Sequence, residues 1–472
     1  MTIAAHPAVT ASPARTPAVE PAPAAPAPVP PALAPPIPAR PAPAAPAPVP
    51  PALATPIPVS ATLAANEALA IRRLTGETVL PLAFGEAGLP VHPMLREALA
   101  AATDGNSYGP VAGLATLRQA AAGYWTRRGL PTSAGSVICG PGSKPLLFGL
   151  LLAIGADVAV ARPSWVSYAA QASMIGARAH FVPTPPGQGG ISDPDGLARA
   201  AEAARQDGRR IGSVVVTLPD NPTGRLARPG TVRELCDVAA AYDLIIISDE
   251  IYRDLVHDPG APFPSPAAFA PERTVVTTSL SKSLALGGWR IGVARLPDSP
   301  AGHGLRDRLL GIGSEIWSAP SVPIQHAAAV AFSEPADITE RIARSRSLHA
   351  TVAHAVAGRF AAARLLVPTP EAAFYLYPDF APWREHLRGR FGIATGAGLA
   401  RHLLDRYGVG VLPASTFGED AGALRVRVAT SLLYGETVKQ RECALAAAQP
   451  LALPWISAAL ARIDEVLADL AP

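Results

Sequence analysis

From about residue 61 onward, short unbroken apolar runs alternate with longer segments of helical period. The runs of strand length are VICG at 137–140, DVAVARP at 157–163, SVVVTLPD at 213–220, LIIISDE at 244–250 and TVVTTSLS at 274–281. Between them lie Ala/Leu/Arg-rich stretches with helical spacing, such as DGLARAAEAARQDG at 195–208 and TVRELCDVAAAY at 231–242. Strands apolar on both faces and separated by helices predict an α/β fold, a mostly parallel central sheet with flanking helices. The longest apolar run, PLLFGLLLAIGA at 145–156, is too short to span a bilayer and predicts a buried helix.

Ligands of open α/β sheets sit beyond the carboxyl ends of the strands, so the residues following each run matter most. SVVVTLPD is followed by Asn221-Pro222-Thr223-Gly224, LIIIS by Asp249-Glu250-Ile251-Tyr252, and TVVTT by Ser279-Leu280-Ser281-Lys282. An amide, a carboxylate with a phenol, and an amine with hydroxyls are thus delivered toward one rim. GPGSK at 140–144 adds a Gly-rich turn opening a helix, whose free backbone N–H groups suit a phosphate.

Composition sets the first 60 residues apart. Of the 53 prolines, 20 fall within residues 1–58, and PAPAAPAPVPPALA occurs at both 21–34 and 41–54. A Pro/Ala repeat without large apolar periodicity cannot close a core, which predicts a disordered or polyproline-II tail. This stretch has no basic start followed by an unbroken apolar segment, so it does not read as a signal peptide. The three cysteines are far apart and in no metal spacing, which suits a reducing, cytoplasmic setting and offers no metal site. A formal charge of +3 spread along 472 residues gives nucleic acid binding little support.

Charge usage also marks one residue. Lysine occurs three times among 40 basic residues, at Lys144, Lys282 and Lys439. A lysine retained in so arginine-rich a chain points to a position where only an amine serves, because a lysine amine can lose its proton and condense with a carbonyl. Two other chemistries fail on their own requirements. In GPGSK, Pro145 stands where a nucleotide loop needs Ser or Thr. Ser279-x-x-Lys282 fits an acyl-serine motif, which also needs a downstream Ser-x-Asn, and no asparagine follows Asn221.

In combination, NPTG at 221–224, SDEIY at 248–252 and S-x-S-K-x-x-A-x-x-G-W-R-x-G at 279–292 resemble the class I/II aminotransferases. These are fold type I enzymes dependent on pyridoxal 5′-phosphate. The resemblance extends upstream through Tyr108-Gly-Pro-Val-Ala-Gly-Leu-Ala-Thr-Leu-Arg118, GSK at 142–144 and PSWVSY at 163–168. Downstream it includes AFYLYPD at 373–379, GVGVLPASTFG at 408–418 and LRVRVATS at 424–431.

The resemblance implies four parts: the tail at 1–60, an N-terminal arm with part of a small domain at 61–104, a large cofactor-binding domain at 105–330, and a small α/β domain at 331–468. It implies that Lys282 forms the internal aldimine and then moves protons, and that Asp249 pairs with the pyridinium. Asn221 and Tyr252 would bond the phenolic oxygen, and Trp165 would stack on the ring. Ser143, Lys144, Ser279 and Arg290 would anchor the phosphate, joined by Tyr108 from the neighbouring subunit of a homodimer. Arg425 would clamp the substrate carboxylate, with Gly85 and Asn221 beside it. Lys439 is assigned to a solvated helix face. Ala87, Ala372 and Ala414 depart from the family pattern in segments that face substrate.

The expected reaction is a ping-pong transfer of an amino group from an L-amino acid to a 2-oxo acid, within amino acid metabolism or biosynthesis. A lyase, decarboxylase or oxidase built on the same cofactor residues is the alternative. A cofactor-sensing or scaffold module recruiting a partner through its Pro-rich arm is the reading from another class.

Overall fold

The computed structural model describes residues 59–472, and the predicted Pro/Ala tail lies outside the described residues. After a two-residue strand β1 (Leu80–Pro81), seven strands build the central sheet: β2 (Val137–Gly140), β3 (Asp157–Arg162), β4 (Ala179–Pro183), β5 (Ile211–Thr217), β6 (Ile245–Asp249), β7 (Thr274–Ser279) and β8 (Gly292–Arg295). Their order is β2-β8-β7-β6-β5-β3-β4. Every neighbouring pair from β7 to β4 is parallel, whereas β8 lies antiparallel between β7 and β2. Six strands therefore share one direction, and their carboxyl ends form one rim.

All five predicted runs are strands of this sheet. Each residue of β5 and β7 is buried, as expected of strands covered on both faces. β4 escapes the pattern because it is an edge strand with mixed exposure. β8 escapes because GVAR offers only two consecutive apolar side chains, Val293 and Ala294, between a glycine and an arginine.

Helices cover the sheet. In the helix Ser143–Ile154, Leu146, Leu147, Leu150 and Leu151 pack with Val158, Val160, Val215 and Ile247 in one apolar cluster. The predicted helices at 195–208 and 231–242 appear as Pro194–Gln206 and Pro229–Ala241, each opened by proline, whose fixed φ suits a first turn. No helix among the described residues is long and apolar enough to cross a membrane.

A second core lies around the helices Ala336–Ala362 and Pro454–Leu470. It holds β9 (Tyr375–Leu376), β10 (Val409–Gly410), β11 (Leu412–Pro413) and β12 (Val426–Ala429). β12 pairs antiparallel with β9 and β11, and β1 pairs parallel with β10. Leu80, Leu82 and Leu89 join this core, so the segment between them is pinned where it crosses the rim at Gly85.

Candidate active site

A pocket of about 520 Å³ opens at the carboxyl rim. Nine of the twelve residues predicted from sequence line it: Gly85, Ser143, Lys144, Trp165, Asn221, Asp249, Tyr252, Lys282 and Arg290. They come from different strand ends because parallel strands bring their carboxyl ends to one place.

Asp249 ends β6 and is buried. Tyr168 donates to its Oδ2 at 2.8 Å, and Thr277 on β7 donates to its Oδ1 at 3.4 Å. Burial pushes the Asp249 pKa up to about 6, with the Tyr168 hydrogen bond opposing. The adjacent Glu250 faces away from this set, pairing with Arg253 at 2.8 Å and accepting from the Ser248 and Ser265 hydroxyls. Period-two alternation separates these two neighbouring acids.

Lys282 follows β7 in the short helix Leu280–Ser283, and its Nζ donates to the Gly85 carbonyl at 2.5 Å. Its pKa is pushed down to about 8, first by burial and then by the Arg427 guanidinium. A neutral amine is therefore accessible near neutral pH. Tyr252 Oη lies 2.8 Å from Tyr375 Oη, and burial raises both phenol pKa values.

The opposite end of the pocket is cationic. The helix Ser143–Ile154 starts there, and a Cβ at Gly142 would overlap the Arg290 guanidinium that folds across this turn. Arg290 itself takes a left-handed backbone, φ 55°, which swings its side chain back over the turn. Lys144 Nζ stands 5.0 Å from the Trp165 ring centroid, and burial, then Arg290, lowers its pKa.

Three predicted residues fall elsewhere. Ser279 is buried beneath the wall, where its Oγ accepts from the Ser281 N–H, and Ser281 is the hydroxyl that lines the pocket. Tyr108 is 92% exposed and does not reach the pocket of its own chain. Arg425 is turned to a different set of partners: its Nε donates to Asp379 at 2.9 Å and its Nη1 to Glu419 at 3.1 Å. Both arms of its fork are occupied by carboxylates. Arg427, two residues further along β12, lines the pocket instead.

Arg427 is buried, with Nη1 donating to Asn221 Oδ1 at 3.0 Å and Nη2 to the Ala83 carbonyl at 2.5 Å. Its guanidinium lies 4.9 Å from the Tyr375 ring and 5.1 Å from that of Phe417. Among the described residues no carboxylate lies within ion-pair distance of it. Arg425 immediately precedes β12 and Arg427 lies two residues on, so spacing alone does not tell which arginine reaches the rim. Tyr168, Thr217, Tyr375 and the Ser60–Leu63 segment also line the pocket unpredicted. Tyr168 lies inside the PSWVSY motif and Tyr375 inside AFYLYPD, where neither was singled out; Thr217 and the Ser60–Leu63 segment carry no local signal.

A family model described as aminotransferase class I and II matches residues 78–432. The aspartate/prephenate aminotransferase of Thermus thermophilus is 30% identical over 379 residues, covering 79% of this chain and 92% of the relative. The arginine–pyruvate transaminase of Pseudomonas aeruginosa is also 30% identical, over 80% of this chain and 92% of its own. Among solved structures, aspartate aminotransferase from Thermus thermophilus with maleate superposes with a TM-score of 0.72 at 26% identity, covering 87% of this chain and 97% of that one.

Proposed function

Since this chain belongs to the class I and II aminotransferase family and is a pyridoxal-phosphate-dependent transferase, we propose that it moves the amino group of an L-amino acid to a 2-oxo acid by a ping-pong route. The observation that carries this reading is the convergence of two cations and one acid on one pocket: the half-buried Lys282 amine, the buried Asp249 carboxyl and the buried Arg427 guanidinium.

The donor set fits pyridoxal phosphate. When bound, that group supplies an aldehyde and a protonated ring that accepts electrons from the substrate. Lys282 is the amine for the aldehyde, and once freed it takes and returns the proton at the substrate Cα. Its lowered pKa suits that role, because a base must be unprotonated at working pH. Asp249, oriented by Tyr168 and Thr277, would pair with the ring nitrogen. A cation there would hold the Asp249 carboxylate ionised against the effect of burial. The Asn221 Oδ1 is taken by Arg427, which leaves its NH₂ for the phenolic oxygen together with the Tyr252 hydroxyl. Ser143, Lys144, Ser281 and Arg290 would hold the phosphate at the helix start. Trp165 would cover one face of the ring.

Arg427, in place of Arg425, grips the substrate α-carboxylate. A buried guanidinium without a carboxylate partner is costly unless a ligand supplies the anion. The exposure of Tyr108 supports a homodimer in which it completes the phosphate site of a second copy. The separate cores support a division into an arm with part of the small domain at 61–104, a large domain at 105–330 and a small domain at 331–468. The three free cysteines are in keeping with a cytoplasmic location and a role in amino acid metabolism.

The relatives are named for both an acidic and a basic amino acid, so the donor is left to experiment. Purified protein is mixed with a panel of amino acids, with and without a 2-oxo acid. Turnover that requires the acceptor supports transamination; product formed at full rate without one overturns it in favour of a lyase, decarboxylase or oxidase.

A further inference from the structure

Tyr375 is the buried pocket residue that the proposed chemistry leaves without a role. It sits on β9, where it is paired with Ala429 of β12. Its hydroxyl lies 2.8 Å from that of Tyr252 and 3.4 Å from the Gly85 carbonyl. That carbonyl is the one into which Lys282 Nζ donates. The Tyr252 and Tyr375 rings meet edge to face at 5.5 Å, and the Arg427 guanidinium lies over the Tyr375 ring. The space is closed to anything bulkier at residue 85, because a Cβ there would overlap the Tyr375 hydroxyl.

Each phenol carries one proton. If Tyr252 gives its proton to Tyr375, and Tyr375 gives its own to Gly85, no proton faces the pocket. If Tyr252 turns its proton to an acceptor in the pocket, the 2.8 Å contact requires Tyr375 to donate to Tyr252. The Gly85 carbonyl is then left to Lys282. Resting on the cofactor reading above, we propose that Tyr375 is a positioning residue that acts through Tyr252: it donates to the Tyr252 oxygen and thereby strengthens the Tyr252 hydroxyl as a donor to the phenolic oxygen of bound pyridoxal phosphate.

A donor to that oxygen favours its ionised form and eases loss of the proton it shares with the imine nitrogen. Chained hydrogen bonds polarise one another, so removing the outer one weakens the inner. The charged groups facing the two phenols are Asp249, Lys282 and Arg427, and Glu86 and Arg290 also line the pocket. None of them is removed by Tyr375→Phe, which keeps the ring beneath Arg427.

The test is the pH midpoint at which the absorption of the bound cofactor changes, read in the holoenzyme without substrate. Tyr375→Phe is expected to raise the midpoint, a gain of about two- to fourfold in proton affinity. Tyr252→Phe is expected to raise it further, and adding Tyr375→Phe to Tyr252→Phe should leave it unchanged. Tyr375→Met, a second hydroxyl-free variant, should repeat the shift. An unchanged midpoint in Tyr375→Phe overturns the proposal. So does a shift of equal size in both backgrounds, because Tyr375 would then act without Tyr252. A wild-type protein that takes up pyridoxal phosphate with no absorption change at all fails at the earlier step, the cofactor reading itself.

Discussion

Replacing Arg427 and Arg425 by alanine, one at a time, separates an arginine on β12 from one that immediately precedes it. Arg427 is buried, holds Asn221 and the Ala83 carbonyl, and has no carboxylate of its own among the described residues. A substrate carboxylate meeting it forms a desolvated, charge-assisted pair, and deleting one partner of such a pair costs about 3–5 kcal/mol. At about 1.4 kcal/mol per factor of ten, Arg427→Ala should lower kcat/KM by roughly two to three and a half orders of magnitude. Leaving Asn221 Oδ1 and the Ala83 carbonyl unpaired should also cost about 1–3 kcal/mol of stability. Arg427→Lys keeps the charge and loses the fork, so it should recover only part of the loss. Arg425 is 43% exposed and bonded to Asp379 and Glu419. Its removal should cost about 1 kcal/mol of stability and leave kcat/KM within about threefold. The assay is steady-state turnover with an active amino donor, with cofactor absorption confirming that each variant stays loaded. The reverse ranking, with Arg425→Ala inactive and Arg427→Ala near wild type, would refute the assignment.

Lys282 has its pKa lowered to about 8, so in cofactor-free protein half of its amine is neutral at that pH and the neutral fraction levels off about one unit above it. The rate of pyridoxal phosphate capture, followed by stopped-flow absorption, should rise with a midpoint at about pH 8; a midpoint near that of a free lysine would contradict this. Asp249 is held near 6 by burial, above its unfolded value, so its ionisation destabilises the cofactor-free fold above that pH and not below its unfolded pKa. Cofactor-free Asp249→Asn should accordingly melt higher than wild type at pH 8, by about 1–3 kcal/mol, with the gap closing as pH falls through 6 toward 4. The same variant should bind cofactor and lose more than a hundredfold in turnover, roughly 3 kcal/mol of electrostatic support at the ring nitrogen. Gly85→Ala drives a methyl into the Tyr375 hydroxyl, and overpacking of this kind costs about 1–3 kcal/mol. Thermal melting should fall by that amount, and kcat/KM should fall with it because Tyr375 and Lys282 both meet Gly85.

The strand ends were legible because burial on both faces forces an unbroken apolar run, and the first polar residues after it must lie at the rim. Asn221, Asp249 and Lys282 are all read this way, and the structure places all three in the pocket. The phosphate turn was legible for a related reason: Gly142 is required where Arg290 crosses the backbone. Arg427 and Tyr375 lie inside the runs LRVRVATS and AFYLYPD, but their place in the pocket was not legible. They reach the pocket from the second core, and their place depends on how far β12 and β9 extend past the rim, which no period records. Motif spacing points to Arg425, whose side chain pairs with Asp379 and Glu419, while Arg427 lines the pocket. The Ser279 hydroxyl caps the Ser281 N–H, and Ser281 is the serine of that turn on the wall.

Three ionisable side chains in this pocket are displaced from their ordinary titration by burial, and in the same sense: each disfavours its own charge. Asp249, Lys282 and Arg427 do not neutralise one another through direct ion pairs among the described residues. Asp249 is instead bonded to neutral hydroxyls, Lys282 to a carbonyl, and Arg427 to an amide and a carbonyl. A fold optimised for stability alone would pair or remove such groups. On the proposed assignment their complements would arrive with the ligands: a cationic ring nitrogen for Asp249, an aldehyde for Lys282 and a carboxylate for Arg427. Binding energy is then spent on relieving burial that folding left uncompensated, so the cofactor should raise the melting temperature more than its contact area alone suggests. Substrate carboxylate should raise it again, and only where Arg427 is present.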